Sequence, residues 1–259
     1  MSETSETEAA RVSREAEIYD NNELERDRLE SVMSYTQMGP ARQRRDQLIR
    51  EVHMRHADSR VLEIGSQAWE AHFLKWKINP TNLTCINISE RELDLGRATA
   101  KAKGVNVDFR LMDAHKLEFP DATFDLVFGT AILHHLNFEE AVKEIARVTK
   151  PGGDILFVEP LLLNPVARLV RALTPKARTP DERPLAREEL RILDRYFTPK
   201  HLYTDLFAFP AAVASRALRV GANNWFIRLS DGVDARIAST APALGAYYRT
   251  VTVYGHRRL

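Results

Sequence analysis

The sequence predicts an α/β fold: a mostly parallel sheet of seven strands, helices on both of its faces, and an added helical cap. Three observations carry that expectation. Between residues 60 and 160 short apolar runs alternate with helical patterns, the rhythm of βαβ units. Several of those runs are apolar throughout, which suits strands covered on both faces. Two further strand-like segments follow residue 200 and bring the sheet to seven.

The first dozen residues, rich in Ser, Thr and Glu, place a disordered acidic tail over residues 1–14. Helical patterning near Glu23–Tyr35 and, after the Gly39-Pro40 break, over Ala41–Arg55 makes residues 15–57 an N-terminal helical cap. Arg60–Ile64 is a short apolar run stopping at Gly65, a buried strand. Ala68–Lys77 reads as a helix whose Trp69, Phe73 and Trp76 share a core-facing stripe. Leu83–Ile88 is the second strand. Ser89, with Glu92 three residues on, opens a helix that runs to Lys103 and stops at Gly104. Val105–Leu111 and Phe124–Phe128 are the third and fourth strands. Phe138–Thr149 is a helix with apolar residues at 138, 141, 142, 145 and 148. Pro151-Gly152-Gly153 reads as a turn into a fifth strand, Ile155–Val158, which closes a core over residues 58–160. Residues 161–200, rich in Pro and Arg, read as a cap insertion. Residues 201–259 complete the sheet with strands at His201–Phe209 and Tyr247–Tyr254. In the latter, Val251 and Val253 face one way and Thr250, Thr252 and Tyr254 the other.

With 259 residues, 44% apolar and 28% charged, the chain is sized for one large domain, and collagen-like or coiled-coil character is excluded. The single Cys85, inside a buried strand, excludes a disulfide framework and a multi-cysteine zinc site, and a reducing, cytoplasmic setting is expected. The scattered Asp and His residues show no ligand spacing, so no metal is expected. The polar N-terminus has no signal-peptide core, and no run of about 18 apolar residues exists. A net charge of +1 argues against a nucleic-acid binder built on bulk charge. That total is a cancellation: residues 1–30 carry −6, residues 31–159 carry −1 and residues 160–259 carry +8. The basic third is either a solvated surface or a site for an anionic acceptor or an acidic membrane. Leu161–Leu163, Val166, Leu169, Val170 and Leu173 are either an ordinary packed helix or a lid or membrane-facing surface.

The chemistry-bearing stretches are VLEIG at 61–65, LTCINIS at 83–89, MDAHKLEFPDATFDLVF at 112–128, AILHHL at 131–136 and EIARVTKPGGDILFVEP at 144–160. Their order and spacing resemble the class I S-adenosylmethionine-dependent methyltransferases of the small-molecule type, over roughly residues 58–160. The resemblance implies a Rossmann-like core with S-adenosylmethionine as cofactor. It implies in-line transfer of a methyl group to an oxygen, nitrogen or carbon of a small acceptor, anionic or lipophilic. Nucleic acid is not expected, since residues 129–132 lack the Asn/Asp-Pro-Pro-aromatic run of base methylases. Peripheral membrane contact and self-association stay open.

The resemblance also distributes roles. Gly65, Ser66 and Gln67 form the turn under the cofactor. Gln67 and Trp69 stand where the family usually has its second and third glycines. That departure counts against a dinucleotide, whose pyrophosphate needs close backbone approach there. Glu63 is an anion for the amino group or sulfonium. Asn87, with Ile88, occupies the ribose-binding position, where a neutral acceptor replaces the usual carboxylate and lowers affinity by ~1–2 kcal/mol. Asp113 accepts from the adenine amino group, flanked by Ala114 and His115. Gly129 and Thr130 line the methionine side. Tyr19 covers the sulfonium. His134, His135 and Glu159 are candidates for the general base. The acceptor pocket is expected from the N-terminal helices and residues 160–245. The altered glycine turn and neutral Asn87 also fit a binding or regulatory protein that keeps the fold without methyl transfer.

Overall fold

The structure, a computed structural model, describes residues 34–35, 39–78, 81–175, 182–222 and 224–259. Tyr19 and all but the end of the helix expected at Glu23–Tyr35 lie outside them. Two compact units divide the chain. Of the described residues, a core unit holds those within 45–160, 185–202 and 251–259; a second unit holds those within 161–184 and 203–250, together with those before 45.

The elements are α1 (Pro40–Arg55), β1 (Arg60–Ile64), β2 (Asn82–Asn87), α2 (Glu90–Lys103), β3 (Val107–Leu111), β4 (Phe124–Thr130), α3 (Phe138–Val148), β5 (Thr149–Pro160), α4 (Pro165–Leu173), α5 (Arg187–Tyr196), β6 (Phe197–Thr204), α6 (Ala208–Ala217), α7 (Trp225–Thr240) and β7 (Thr250–Arg257). The strands form one sheet in the order β3-β2-β1-β4-β5-β7-β6, the seven expected. From β3 to β5 every ladder is parallel, with Val61 opposite both Leu83 and Leu126. The chain leaves β1 toward β2 and β3, then returns to its other side at β4. The switch point between β1 and β4 is where α/β sheets of this kind bind ligands.

Local chemistry explains the element ends. The Ser89 hydroxyl accepts from Glu92 N at 3.3 Å to open α2, and Gly104 closes it in the left-handed region at φ 66°. Asn164 caps α4 by accepting from Ala167 N at 2.9 Å, with Pro165 at the first helical position. The core buries Leu62, Phe73, Leu93, Leu126, Phe128 and Phe157 almost completely.

Four expectations change. The helix read over Ala68–Lys77 is a single π-helical turn, Glu70–Leu74, sealed by the Ile78 N to Phe73 O bond of 2.9 Å and ended by Lys77 at φ 54°. Pro151-Gly152-Gly153 is not a turn before β5 but part of it. Phe124 pairs with Thr149 and Leu126 with Asp154, so the residues between form a bulge. A Cβ on Gly153 would stand 3.0 Å from Lys150 O and 3.1 Å from Asp125 O. The strand expected at His201–Phe209 lies earlier, at Phe197–Thr204. The residues after it start α6, because the Asp234 carboxylate accepts from Phe207 N (2.8 Å) and Ala208 N (3.0 Å), and Pro210 in a first turn costs no hydrogen bond. Finally, β7 runs over Thr250–Arg257 rather than Tyr247–Tyr254. It lies between β5 and β6, so residues 250–255 are buried on both faces and the expected in–out alternation is absent.

At the amino-terminal ends of the parallel strands, buried Asp154 gathers His56 (2.9 Å), His256 and Arg55 (3.8 Å), tying the end of α1 to β5 and β7.

Candidate active site

At the opposite, carboxyl ends of β1, β2, β4 and β5, two buried carboxylates shape the backbone. Glu63, 1% exposed, points out of β1 beneath the turn that follows. It accepts from Ala68 N (2.5 Å), from Trp69 N (3.2 Å) and from the Cys85 thiol (3.2 Å). Burial nevertheless dominates and pushes its carboxyl up to about 7, against those hydrogen bonds. The same burial, with Glu63 alongside, drives the Cys85 thiol well above its usual range, so Cys85 is an unreactive donor. Glu63 thus anchors the turn through backbone amides and a thiol.

Glu159, fully buried at the end of β5, does the equivalent work under β4. One carboxylate oxygen accepts from Ile132 N (3.0 Å) and Leu133 N (2.9 Å); the other meets His134 Nδ1 at 2.7 Å. A carboxylate only accepts, so Nδ1 carries the proton of this bond. His135 packs against this ring, with centroids 4.2 Å apart. Of the three base candidates, His134 and Glu159 form a hydrogen-bonded pair in which Glu159 orients the ring. Both oxygens of Glu159 are engaged in holding the segment after β4.

The turn after β1 needs unusual backbone. Gly65 sits at φ 105° and Ser66 at φ 54°, and after β4 Ala131 sits at φ 53°. Asn87 braces the first of these. Its amide nitrogen donates to Gly65 O (2.7 Å) and Ser66 Oγ (3.0 Å), and its oxygen accepts from Ser89 N (2.9 Å). The amide expected to meet a ribose is committed first to the two turns beside it. Gln67 is exposed, and its amide donates to Glu92 at 3.0 Å.

Asp113 follows β3. Its Oδ1 accepts from His115 N (2.9 Å) and from His115 Nδ1 (2.6 Å), while His115 Nε2 accepts from Asn137 N at 2.9 Å. Those bonds fix His115 as the neutral Nδ1–H tautomer, a strut between this loop and the start of α3. Ala114 between them is buried. Partly exposed Gly65, Asn87, Ile88 and Asp113, with exposed Thr130, sit at these strand ends; Gly129 is buried.

Sequence reasoning passed over Ile132, whose side chain lies 3.4 Å from a Cβ built on Gly65 and 2.7 Å from one built on Gly129. Ile132 therefore packs over both glycines, and the two switch-point turns share one side chain. Also unforeseen is a buried histidine pair, His53 Nε2 to His72 Nδ1 at 3.0 Å, wedged against Phe73 and Phe128. Burial lowers the pKa of His53 well below the usual range. The only signal for either in the sequence was the apolar company they keep.

A doubly covered parallel sheet with buried carboxylates and strained turns at its switch point defines an α/β protein of the nucleotide-binding architecture. Residues 62–157 match the family described as the methyltransferase domain. The chain is 34% identical over 118 residues to a 27-O-demethylrifamycin SV methyltransferase of Amycolatopsis mediterranei (strain S699), covering 44% of this chain and 43% of that protein. It spans less than half the length of the curated relatives it matches. Among solved structures, a geranyl diphosphate C-methyltransferase from Streptomyces coelicolor A3(2), in complex with Mg2+, geranyl diphosphate and S-adenosyl-L-homocysteine, superimposes with a TM-score of 0.57 at 15% identity, over 83% of this chain and 80% of that one. A 4+2 cyclase superimposes with a TM-score of 0.53 at 20% identity, over 83% and 81%. At these identities the structural likeness is one of fold.

Proposed function

We propose that the chain binds S-adenosylmethionine at the carboxyl ends of β1, β2, β3 and β4 and methylates a small-molecule acceptor. The observation that carries this reading is the pair of braced turns at the switch point of a matched methyltransferase domain: Gly65-Ser66 held by Asn87 and Ala68-Trp69 by Glu63 after β1, and Ile132-Leu133 held by Glu159 after β4. The chemistry of the residues fits the cofactor: Asp113 offers an acceptor for the adenine amino group, and the Gly65 turn presents backbone without a pyrophosphate cradle. When bound, S-adenosylmethionine supplies a methyl group already activated on a sulfonium.

The protein's own part is to bind, align and exclude water. Gly65–Gln67 and Thr130 hold the methionine end, Ile88 the ribose edge beside the turn that Asn87 braces, and Asp113 the base, with Ala114 and His115 setting the Asp113 loop. His134, oriented by Glu159, takes a proton at Nε2 from an acceptor that must lose one. The acceptor belongs to the small molecules on which the relatives act, a rifamycin precursor in one and a prenyl diphosphate in another. A methyl-labelled cofactor, incubated with the protein and candidate acceptors of these types, tests the reaction: label should pass to one acceptor in wild type and at a much lower rate in His134→Ala.

A second reading, a binding protein or a catalyst of another reaction on this fold, draws on Ile132 packed over the glycine turn and on the cyclase among the neighbours. Under it, the cofactor would bind without any acceptor being methylated.

A further inference from the structure

The second unit presents an apolar face that its own packing does not use among the described residues. α7 buries Ile227, Ser230, Asp231 and Asp234 on one side. On the other, Trp225 (74% exposed), Phe226, Leu229 (59%) and Val233 stand in solvent at helical spacing. The loop just before it adds Leu218 (76%) and Val220. This loop is built rather than frayed: Val220 N bonds Ser215 O at 2.9 Å, and Asn224 donates to Ser215 Oγ (2.9 Å) and Gly221 O (2.8 Å) while capping α7.

Within residues 216–240 the exposed charged side chains are all arginines. Arg216, Arg219, Arg228 and Arg236 are all exposed. The two acids of this stretch are buried and used internally: Asp231 pairs with Arg44 at 2.8 Å, and Asp234 caps α6. The face is therefore apolar at its centre and cationic at its surface. No helix among the described residues is long and apolar enough to cross a membrane, so such a face lies along a surface rather than through it.

We propose that the loop 216–221 and the exposed side of α7 dock on an anionic lipid bilayer, with Leu218, Trp225 and Leu229 entering the headgroup boundary and the four arginines against the lipid phosphates. Charge selects this occupant. A second copy meeting the face across a two-fold axis would bring the same arginines together, whereas anionic lipid complements them. Trp225 suits the boundary, having a large apolar body and a polar N–H. The inference stands apart from the reaction of the core unit.

Co-sedimentation of the full chain with vesicles tests it, comparing pure phosphatidylcholine with vesicles containing about one-third phosphatidylglycerol. The protein should pellet with the anionic vesicles only and be released by high salt. Arg219→Glu with Arg228→Glu, and separately Trp225→Ser with Leu229→Ser, should each lower the partition by about tenfold with unchanged circular dichroism. Brominated lipid should quench emission in wild type, and that quenching should vanish in Trp225→Phe. Wild-type protein remaining in the supernatant with anionic vesicles at low salt overturns the proposal. So does concentration-dependent self-association lost in Trp225→Ser without vesicle binding, which would assign the face to a second copy.

Discussion

The core unit and the second unit spend their side chains differently. In the core unit the large apolar groups left exposed are Met54, Leu95, Leu111 and Leu259. In the second unit, which has fewer described residues, they are Leu169, Leu173, Phe207, Leu218, Val220, Trp225, Phe226, Leu229, Val233, Leu244 and Tyr247. Leu169 and Leu173 belong to α4, the segment whose apolar spacing left packing and surface roles both open. Buried carboxylates serve both units, but for different ends. Glu63 and Glu159 hold strained turns at the switch point of the sheet, whereas Asp234 starts a helix. Among the described residues, the contrast teaches that the unit containing the stretch that matches methyltransferases leaves few large apolar groups in solvent, and that most of the apolar surface available for contacts of other kinds lies in the second unit.

The largest effect that would break this contrast is catalytic. If His134 is the base, His134→Ala lowers turnover by about 10²–10⁴-fold while cofactor affinity holds, read by label transfer and titration. Next comes Glu63. Its carboxyl titrates at about 7 in the folded protein against an ordinary 4.5, so the unfolded chain releases the proton first. Stability is then full below pH 4.5 and falls as pH rises toward 7, by about 3 kcal/mol if nothing relaxes. Glu63→Gln should remove that fall in urea melts run across the range, and an unchanged slope would show that Glu63 is not the group responsible. Asp234, raised to about 6, gives a fall of the same sign in the second unit, removed by Asp234→Asn instead.

Gly129→Ala places a methyl 2.9 Å from the Ile64 carbonyl and 2.7 Å from Ile132, and should cost about 2 kcal/mol by denaturant unfolding. Asn87→Asp sharpens the reading of the first turn. A carboxylate cannot donate to Gly65 O or Ser66 Oγ, so the variant should lose about 1 kcal/mol of stability and bind cofactor no more tightly. Tighter binding would return Asn87 to a direct ribose contact. Smallest of all, Leu229→Ser in the second unit should leave the melting transition within about 0.5 kcal/mol of wild type.

Where sequence and structure agree, local signals and burial point the same way. Ser89, Gly104 and the apolar runs of β1, β2 and β4 are set by short-range chemistry and appear within a few residues of their expected places. The failures come from distant partners. The Asp234 carboxylate turned the start of an expected strand's end into α6, and insertion of β7 between two strands erased its alternation. Likewise, Glu63 and Asn87 carried the right residue types at the right strand ends, but their bonds to Ala68, Trp69, Gly65 and Ser66 depend on a turn whose positive φ falls partly on a serine. No glycine marks that second strained residue or Ala131, so the shape of the site was hidden. Ile132 was hidden for the same reason, since its role exists only once β1 and β4 lie side by side.

The central claim, that the core unit holds the methyl-donor cofactor at these strand ends, meets its most direct test in calorimetric titration of the full chain with S-adenosylmethionine and S-adenosylhomocysteine, in wild type and in Asp113→Ala. The account predicts one-to-one binding of both ligands to wild type, weakened by about tenfold or more in the variant as the carboxylate acceptor is lost. Absence of heat for either ligand at millimolar concentration, or equal affinity in wild type and Asp113→Ala, would contradict it.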